Sequence, residues 1–394
     1  MNRNVVIGVS GGIAAYKALE IVSLLMKKGI DVNIIMTESA TKFVTPLSFQ
    51  SLSQNMVVCD MFTEPKAWEI QHISLAEKAD VFLVAPATAN IIGKVANGIA
   101  DDMLSTTIMA TKAKVIFAPA MNTNMYNNPI VQDNIRKLKS FGYEFIDPAE
   151  GRLACGTSGK GKLESPEVIV ECVLMELYEK KDLLNKNVIV TAGPTIAPID
   201  PVRFITNRST GTMGYAIAKE ARNRGANVTL ISGPTSIEVP KNINVIKVST
   251  NEEMKNEVIK RFDNADIVIK SAAVADYKPK NYSTQKIKKS NGELCIDFIR
   301  DNDILMELGN KKEKQILVGF AAESQNLKEN AMSKLQRKNL DYIVANDITA
   351  SDTGFASEDN KVIILSKENE EIHLDKMSKE KIASNLFDII LEKR

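Results

Sequence analysis

Cysteine is scarce in this 394-residue chain, with four in all. Cys59, Cys155, Cys172 and Cys295 stand far apart and form no CxxC pair, which argues against a disulfide framework. Reduced thiols in a cytoplasmic setting are the expectation, with Cys59, Cys172 and Cys295 serving as packing residues. Histidine is scarcer still. His72 and His373 are the only two, and without an HExxH or a Cys/His cluster no structural zinc site is expected. Charge of one sign is also missing: 50 Lys and Arg face 49 Asp and Glu, a net +1. That balance leaves no clustered basic excess for DNA or RNA and no polybasic patch for a membrane. No run reaches about 18 uninterrupted apolar residues. The apolar stretch after Asn4 stops at Gly8, too short for the core of a secretory signal.

What is present is ordinary globular composition, 44% hydrophobic and 25% charged. At roughly 100–200 residues per domain the length suits two or three domains. Short β-branched runs alternate with helical patterns, as a parallel sheet covered on both faces requires. Strands are expected at Val5–Val9, Val32–Met36, Val81–Ala85 and Val115–Ala118, with helices at Ala14–Lys28 and Ile130–Phe141. After a polar stretch, Tyr178–Lys186, the rhythm restarts at Val188–Val190. It continues with a helix near Tyr215–Arg224 and strands at Val228–Ile231, Ile267–Ile269, Leu317–Phe320 and Tyr342–Val344. A boundary therefore falls near residues 180–187, between two doubly wound, Rossmann-like α/β domains with mainly parallel sheets. Gly29 and Gly225 sit at similar helix-to-strand joins and should stop their helices. Beyond Asp347 only a terminal helix, Lys379–Glu392, is legible.

Four loops at expected strand ends carry unusual polar or small residues: Gly8–Ala15, Thr37–Ala40, Ala85–Asn90 and Ala118–Tyr126. Ligands of open α/β sheets bind outside the carboxyl ends of strands, so these loops converge on one site if the sheet is doubly wound. Gly8-Val9-Ser10-Gly11-Gly12-Ile13-Ala14-Ala15 is either a tight strand-to-helix turn or a phosphate cradle. It is neither GxGxxG nor a P-loop, so the NAD and ATP fingerprints both fail. His72, at the start of a helical pattern, is a structural side chain or a general base. Cys155 lies in a glycine-rich segment, Arg152–Gly161, which can bring a thiol to a ligand as an acid. In the second half, Asn207-Arg208-Ser209-Thr210-Gly211-Thr212-Met213-Gly214 reads as an anion cradle or as a capped helix start. Lys334, Arg337 and Lys338 share one helix face and either grip phosphates or face water.

In order and spacing, Gly11–Ala15, His72, Pro86–Asn90, Pro119–Tyr126 and Ala154-Cys155-Gly156 resemble the motif series of the flavin-containing cysteine decarboxylases. Thr191–Thr195, Asp200–Gly214, Ala272–Tyr277 and Lys286–Lys289 resemble a phosphopantothenate–cysteine ligase domain. With both halves in this order, the chain is similar to the bacterial bifunctional phosphopantothenoylcysteine decarboxylase/phosphopantothenate–cysteine ligase family of coenzyme A synthesis. The resemblance implies a flavodoxin-like, FMN-dependent decarboxylase domain over 1–183 and a Rossmann-like, CTP-dependent ligase domain over 184–394.

For the ligase, it implies activation of 4'-phosphopantothenate by CTP and Mg²⁺ as an acyl-cytidylate, which the amine of L-cysteine then attacks. Lys286 would stabilise the triphosphate and Asn207 the acyl-cytidylate. Lys270, Ser271, Ala272, Asp276, Asn302, Asp303, Ile304, Leu305, Phe320, Lys334 and Lys338 match nucleotide-binding positions. The metal ligands stay unidentified. For the decarboxylase, Gly11, Gly12, Ser39, Thr88 and Asn90 would hold FMN. His72 would be the base, Asn122 would bind the substrate carboxylate, and Cys155 would donate the proton. Relatives form trimers through the first domain and dimers through the second, which implies a dodecamer. Arg208, Thr210, Thr212 and Asn302 depart from the residues that relatives often carry. A flavin-binding protein without activity has no physical reason to keep His72, Asn122, Cys155, Asn207 and Lys286 together. An NAD-dependent oxidoreductase would carry the missing dinucleotide fingerprint.

Overall fold

The apolar runs of the sequence close into two parallel sheets, each in its own unit, Met1–Glu179 and Lys180–Arg394. The computed structural model describes residues 3–62, 70–152, 156, 158–288, 294–323, 326–347 and 359–392. Cys155 lies outside them. Among the described residues no helix is long and apolar enough to cross a membrane.

In the first unit six strands are parallel: β1 (Asn4–Val9), β2 (Asp31–Met36), β3 (Val57–Val58), β4 (Val81–Ala87), β5 (Lys114–Pro119) and β6 (Glu144–Phe145). Their spatial order is β3-β2-β1-β4-β5-β6. Without the two-residue edge strand β3, the other five follow the 2-1-3-4-5 order of flavodoxin-like sheets. Alternate β1 side chains enter opposite cores. Val5, Ile7 and Val9 pack with the helix Ala18–Lys27, and Val6 packs with the helices Ala89–Ala96 and Met103–Ala110. Each fully buried aliphatic side chain contributes roughly 1.5–3 kcal/mol. The first helix begins as a 3₁₀ turn, Ile13–Lys17, before the α-helix proper.

A two-stranded hairpin, β7 (Ala149–Arg152) and β8 (Ser158–Lys162), precedes the last helix of this unit, Pro166–Glu176. Cys59 and Cys172 pack half-buried against the core, but Cys295 of the second unit is exposed, contrary to the expected packing role.

The second unit repeats the scheme and enlarges it. Its strands are β9 (Asn187–Ala192), β10 (Ile196–Pro198), β11 (Phe204–Thr206), β12 (Asn227–Ser232), β13 (Asn244–Lys247), β14 (Ile267–Lys270), β15 (Tyr277–Pro279), β16 (Phe298–Arg300), β17 (Ile316–Glu323), β18 (Tyr342–Asp347), β19 (Asp359–Ser366) and β20 (Glu371–Ser378). The main sheet runs β13-β12-β9-β14-β17-β18-β19-β20. Its first six strands are parallel in the 3-2-1-4-5-6 order of a Rossmann sheet, and β19 and β20 extend it antiparallel.

Gly29 and Gly225 stop their helices as expected, at φ +75° and +91°. Ile30 N–H donates to Leu25 O at 3.3 Å and Ala226 N–H to Ala221 O at 3.0 Å. Both joins are therefore Schellman caps that turn the chain straight into the next strand.

Arg224, the residue before that second glycine, is fully buried and gathers three carboxylates. It donates to Glu220 Oε1 at 2.8 Å, Asp182 Oδ2 at 3.0 Å and Asp388 Oδ1 at 2.7 Å, and its guanidinium lies 5.7 Å from the Phe387 ring centre. These partners come from the entry segment, the helix Thr212–Asn223 and the last helix, Lys379–Leu391. Burial works against the Asp388 carboxylate, but Lys180 and Arg224 hold its pKa below the usual range. Its contribution is thus complete above the unfolded carboxylate pKa near ~3.9 and fades as pH falls through the lower folded value. Arg224→Met should cost about 3–5 kcal/mol by taking the guanidinium from Glu220 and Asp182 and leaving Asp388 with Lys180. Arg224→Lys should recover only part of this, because one ammonium cannot reproduce the planar fork. Chemical denaturation of the full chain reads both, and a loss below about 1 kcal/mol would remove Arg224 from this role.

Candidate active sites

Where β1 and β4 lie side by side, their following connections leave in opposite directions and open a crevice. Ser10, buried at the end of β1, bridges it. Its Oγ donates to Pro86 O at 2.7 Å, lies 3.1 Å from Thr88 Oγ1 and accepts the Thr88 N–H at 3.0 Å. Gly11 follows in a spot where a Cβ would stand 2.3 Å from Ser39 Cβ and 2.7 Å from the Ser39 carbonyl carbon. Only glycine allows that approach between the loops after β1 and β2.

A cavity of about 620 Å³ opens above these contacts, lined largely by apolar atoms and by Gly11, Gly12, Thr88 and Asn122 among the expected residues. The hairpin β7–β8 supplies the far wall through Arg152, Gly161 and Lys162. It docks on the loop after β5, where Met121 N–H donates to Gly161 O at 2.9 Å. Gly161 has φ +148°, and a Cβ there would lie 2.4 Å from Met121 O. Asn122 caps the short helix Thr123–Tyr126 by accepting the Asn124 N–H at 2.8 Å, which fixes its carboxamide at the cavity edge.

Three of the expected residues do not line this cavity. Ser39 sits exposed beside Gly11, Asn90 is exposed on the helix after Thr88, and His72 is half-buried in the first turn of the helix Gln71–Lys78. Ser10, Tyr16 and Met121 belong to the site or its floor and were not singled out, although each lies in or beside a loop read as unusual.

The second crevice lies between β9 and β14. Buried Thr191 and Thr195 accept the N–H groups of Ala272 and Ala275 at 3.2 and 3.0 Å. Gly214 lets the helix Thr212–Asn223 press on β9, since a Cβ there would meet Ala192 Cβ at 2.6 Å. Asn207 Nδ2 donates to Ala273 O at 3.0 Å and Val274 O at 3.2 Å, pinning its loop across the crevice.

The cavity, about 370 Å³, brings together Asn207, Lys270, Ser271, Ala272, Asp276, Leu305, Phe320, Lys334 and Lys338 from the expected set. Asp303 reaches it indirectly. It caps the helix Ile304–Lys311 through the Met306 N–H and holds Lys338 Nζ at 2.9 Å. Burial opposes its charge, yet Lys338 and the cap keep the Asp303 pKa low. Ile304 is core and Asn302 is exposed outside the lining. Arg337 is likewise exposed outside it, so only Lys334 and Lys338 of that basic face turn inward. Desolvation, helped by the like charge of Lys338, pulls the Lys270 pKa down to about 8 against the pull of Asp303 and Asp276.

Lys286 is exposed and outside the lining, on a segment that an unforeseen residue anchors. Asp200 accepts Arg203 Nη2 at 2.6 Å, Arg203 Nε at 3.0 Å and the N–H groups of Val202, Arg203 and Ile287. These bonds, led by Arg203, hold its carboxyl far below the usual range. Arg203 Nη2 also donates to Ile287 O at 2.8 Å, so the pair ties the Lys286 segment to the β10–β11 ribbon. Asn346, Asn360 and Lys379 complete the cavity wall. Nothing in their sequence neighbourhood had marked Asn360 or Lys379.

The family model "Flavoprotein" matches residues 1–178, and that of the "DNA/pantothenate metabolism flavoprotein C-terminal domain" matches residues 183–393. The chain is 51% identical over 394 residues to the coenzyme A biosynthesis bifunctional protein CoaBC of Bacillus subtilis (strain 168), covering 99% of this chain and 96% of that protein. It is 41% identical to the CoaBC protein of Escherichia coli (strain K12), covering 99% and 97%. Among solved structures, the C-terminal domain of a CoaBC protein aligns with a TM-score of 0.47 at 42% identity, covering 54% of this chain and 96% of that one. A PPC decarboxylase mutant complexed with pantothenoylaminoethenethiol aligns with a TM-score of 0.41 at 31% identity, covering 44% and 98%.

The contact at Gly11 is open to a direct test. Gly11→Ala drives a methyl into Ser39 and its backbone, an overpacking that should cost about 1–3 kcal/mol. Gly12→Ala meets only Thr88 Cγ2 at 3.8 Å and should leave stability nearly unchanged. Thermal melts of the two variants side by side check the contrast, and equal melts would contradict it.

Proposed function

Because the chain belongs to the family of bifunctional coenzyme A biosynthesis proteins, which join phosphopantothenate–cysteine ligase and phosphopantothenoylcysteine decarboxylase activities, we propose that its two cavities divide this work. The cavity between β9 and β14 is the ligase site, and the one between β1 and β4 is the decarboxylase site. One observation carries the assignment. The second cavity is lined about equally by polar and apolar atoms and holds Lys270, Lys334 and Lys338 with Asp276, whereas the first, although Lys17, Arg152 and Lys162 reach it, is largely apolar with small residues at its floor.

In the ligase site the carboxylate of 4'-phosphopantothenate attacks the α-phosphorus of CTP, forming acyl-cytidylate and releasing pyrophosphate. The amine of L-cysteine then adds to the acyl carbon and CMP leaves. Each oxyanion involved needs positive charge in a place of low dielectric. Lys270, Lys334 and Lys338 supply it, and Asp303 fixes Lys338. Asp276, with the Lys270–Ala272 backbone, and Leu305 and Phe320 shape the nucleotide end, while Asn302, Asp303 and Ile304 form the turn that leads into Leu305. Asn207, pinned by its two hydrogen bonds, orients the acyl group. Lys286 reaches the triphosphate from the segment that Asp200 anchors. Among the described residues no group of three or more His, Cys, Asp or Glu can hold a metal. Mg²⁺ therefore fits this site as an ion carried by the nucleotide, keeping several of its waters.

The first cavity fits FMN. Gly11 and Gly12 bring backbone to its floor, and its apolar walls suit a flat ring system. Thr88 lines it, with Ser39 and Asn90 beside it. FMN, when bound, supplies the reversible oxidation that lets an ordinary carboxylate leave without net redox change. Asn122 holds the departing carboxylate at the cavity edge, and Cys155 delivers the final proton. His72 serves as the base from outside the lining, flanked by exposed Ile70 and Ile73. That placement suits delivery into the cavity of a neighbouring copy in a trimer. With paired ligase units, the assembly would be a cytoplasmic dodecamer.

Supplying 4'-phosphopantothenate, L-cysteine, CTP and Mg²⁺ should yield 4'-phosphopantetheine by mass, with CMP, pyrophosphate and CO₂ as by-products. The purified protein should be yellow, and a colourless preparation that FMN cannot reconstitute would remove the decarboxylase half. Lys270 gives a second test. An anion stabilises its charged form, so CTP affinity should fall as pH rises through about 8. Lys270→Met should bind CTP more weakly, with a flat profile over that range. An unchanged slope would detach Lys270 from the nucleotide.

A further inference from the structure

Asn251, the first residue of the helix Asn251–Phe262, does not line the ligase cavity, and no step of the proposed reaction uses it. It is 2% exposed. Its Nδ2 donates to Asn302 O at 2.9 Å, across 51 residues of sequence. Its Oδ1 is buried and has no hydrogen-bond partner among the described residues. Turning the carboxamide over would not help, because Oδ1 would then face the Asn302 carbonyl, acceptor against acceptor.

Neither capping nor stability accounts for this side chain. Thr250 Oγ1 accepts the Glu253 N–H at 3.2 Å, and Glu253 Oε2 accepts the N–H groups of Ser249 and Thr250 at 2.7 and 3.4 Å. The capping box is therefore complete without Asn251. Asn302 is an exposed residue, so water can serve its carbonyl once Asn251 is shortened. The bond thus adds little to folding, while the stranded Oδ1 subtracts from it. What the bond does is fix a place.

That place lies between two residues that act in the cavity. On one side of Asn302, the Asp301 N–H donates to Asp276 O at 2.9 Å, and Asp276 lines the cavity. On the other, Asp303 caps the helix Ile304–Lys311 and holds Lys338 Nζ at 2.9 Å. Lys338 and Leu305 both belong to the lining. The residue before the N-cap reaches the β10–β11 ribbon as well, since Ser249 O accepts the Ile196 N–H at 2.9 Å where β10 begins. The start of this one helix therefore holds both the turn at residues 301–303 and the ribbon that leads to Asn207.

We propose that Asn251 is a positioning residue of the ligase: through Asn302 O it fixes the turn at residues 301–303, and with it the Asp303–Lys338 pair and Leu305 at the nucleotide end of the cavity. The inference rests on the ligase reading of this cavity and adds to it a residue that meets no ligand. A nucleotide meets a turn already in place; without the bond, binding has to order it. The loss then falls on nucleotide affinity and not on the chemical steps.

Asn251→Ala and Asn251→Ser in the full chain test it by thermal melts, calorimetric titration with CTP and Mg²⁺, and pyrophosphate release at varied CTP. Both variants should melt within about 2 °C of the wild-type chain. CTP should bind about five- to tenfold more weakly and its KM should rise in step, with kcat at saturating CTP within about twofold. Lys338→Met should also weaken CTP binding, and Asn251→Ala combined with it should lose less than the product of the two separate losses, because both act on the same pair. A melting temperature lowered by more than about 5 °C, with kcat and KM both impaired, would make Asn251 a packing residue and overturn the assignment. Unchanged CTP affinity, a change confined to the KM for cysteine, or losses that multiply in the double variant would each overturn it too. A wild-type chain that binds no CTP would instead remove the ligase reading itself.

Discussion

Hydroxyl groups hydrogen-bonded across the gap between the first and fourth strands are the contact on which both clefts depend. In the first unit, Ser10 joins the end of β1 to Pro86 and Thr88 after β4. In the second, Thr191 and Thr195 join β9 and its loop to Ala272 and Ala275 after β14. The doubly wound order forces these connections apart, and the backbone N–H groups beneath them are shielded from water. An internal hydrogen bond nets only about 0.5–1.5 kcal/mol, but stranding a buried partner costs about 1–3 kcal/mol. The asymmetry makes the floor of each cleft resist opening, while the loops above it stay free to differ in chemistry.

The two clefts then diverge by what stands on that floor. The chain carries a net charge of only +1, so attraction for anionic substrates must be local. In the second cavity Lys270, Lys334 and Lys338 converge near Asp303 and Asp276, and burial, helped by the like charge of Lys338, lowers the Lys270 pKa to about 8. A bound anion stabilises the charged form of Lys270 that burial disfavours, so binding and protonation of that lysine are linked. In the first cavity Lys17, Arg152 and Lys162 stand on walls that are otherwise largely apolar, and backbone approaches the floor at Gly11 and Gly12. Near-neutral composition conceals this difference entirely.

How much of this was legible depends on the period and reach of each signal. The buried parallel strands and the Gly29 and Gly225 stops follow from short-range patterns, and they appear where expected. Asn207, Asp276 and the two inward lysines also announced themselves by motif. The β19–β20 hairpin did not. Its outer strand keeps Ile372, Leu374 and Met377 half-buried and exposes His373, Asp375 and Lys376, as a charged edge strand does, and its turn uses Asn369 at φ +63° without a glycine. Asp200 figured only as the first residue of the ligase-like stretch Asp200–Gly214, because its partner at Ile287 lies 87 residues away. Asn360 belongs to the same class. A polar residue on a strand says nothing until the strand's neighbours are known.

That hairpin and the helix after it carry more than their sequence suggests. Arg224 clamps the last helix near its C-terminal end through Asp388 and Ser384. Lys379 begins the same helix nine residues earlier, about 13 Å away along a rod of 1.5 Å rise per residue. A helix held at one end by a buried guanidinium and along its length by Ile382, Leu386 and Phe387 has little freedom at the other. The position of Lys379 in the cavity is thus set by a cluster that never touches it. Packing of the second core and placement of a cation at its ligand site are one constraint, and a substitution at Arg224 reaches the cavity through the helix.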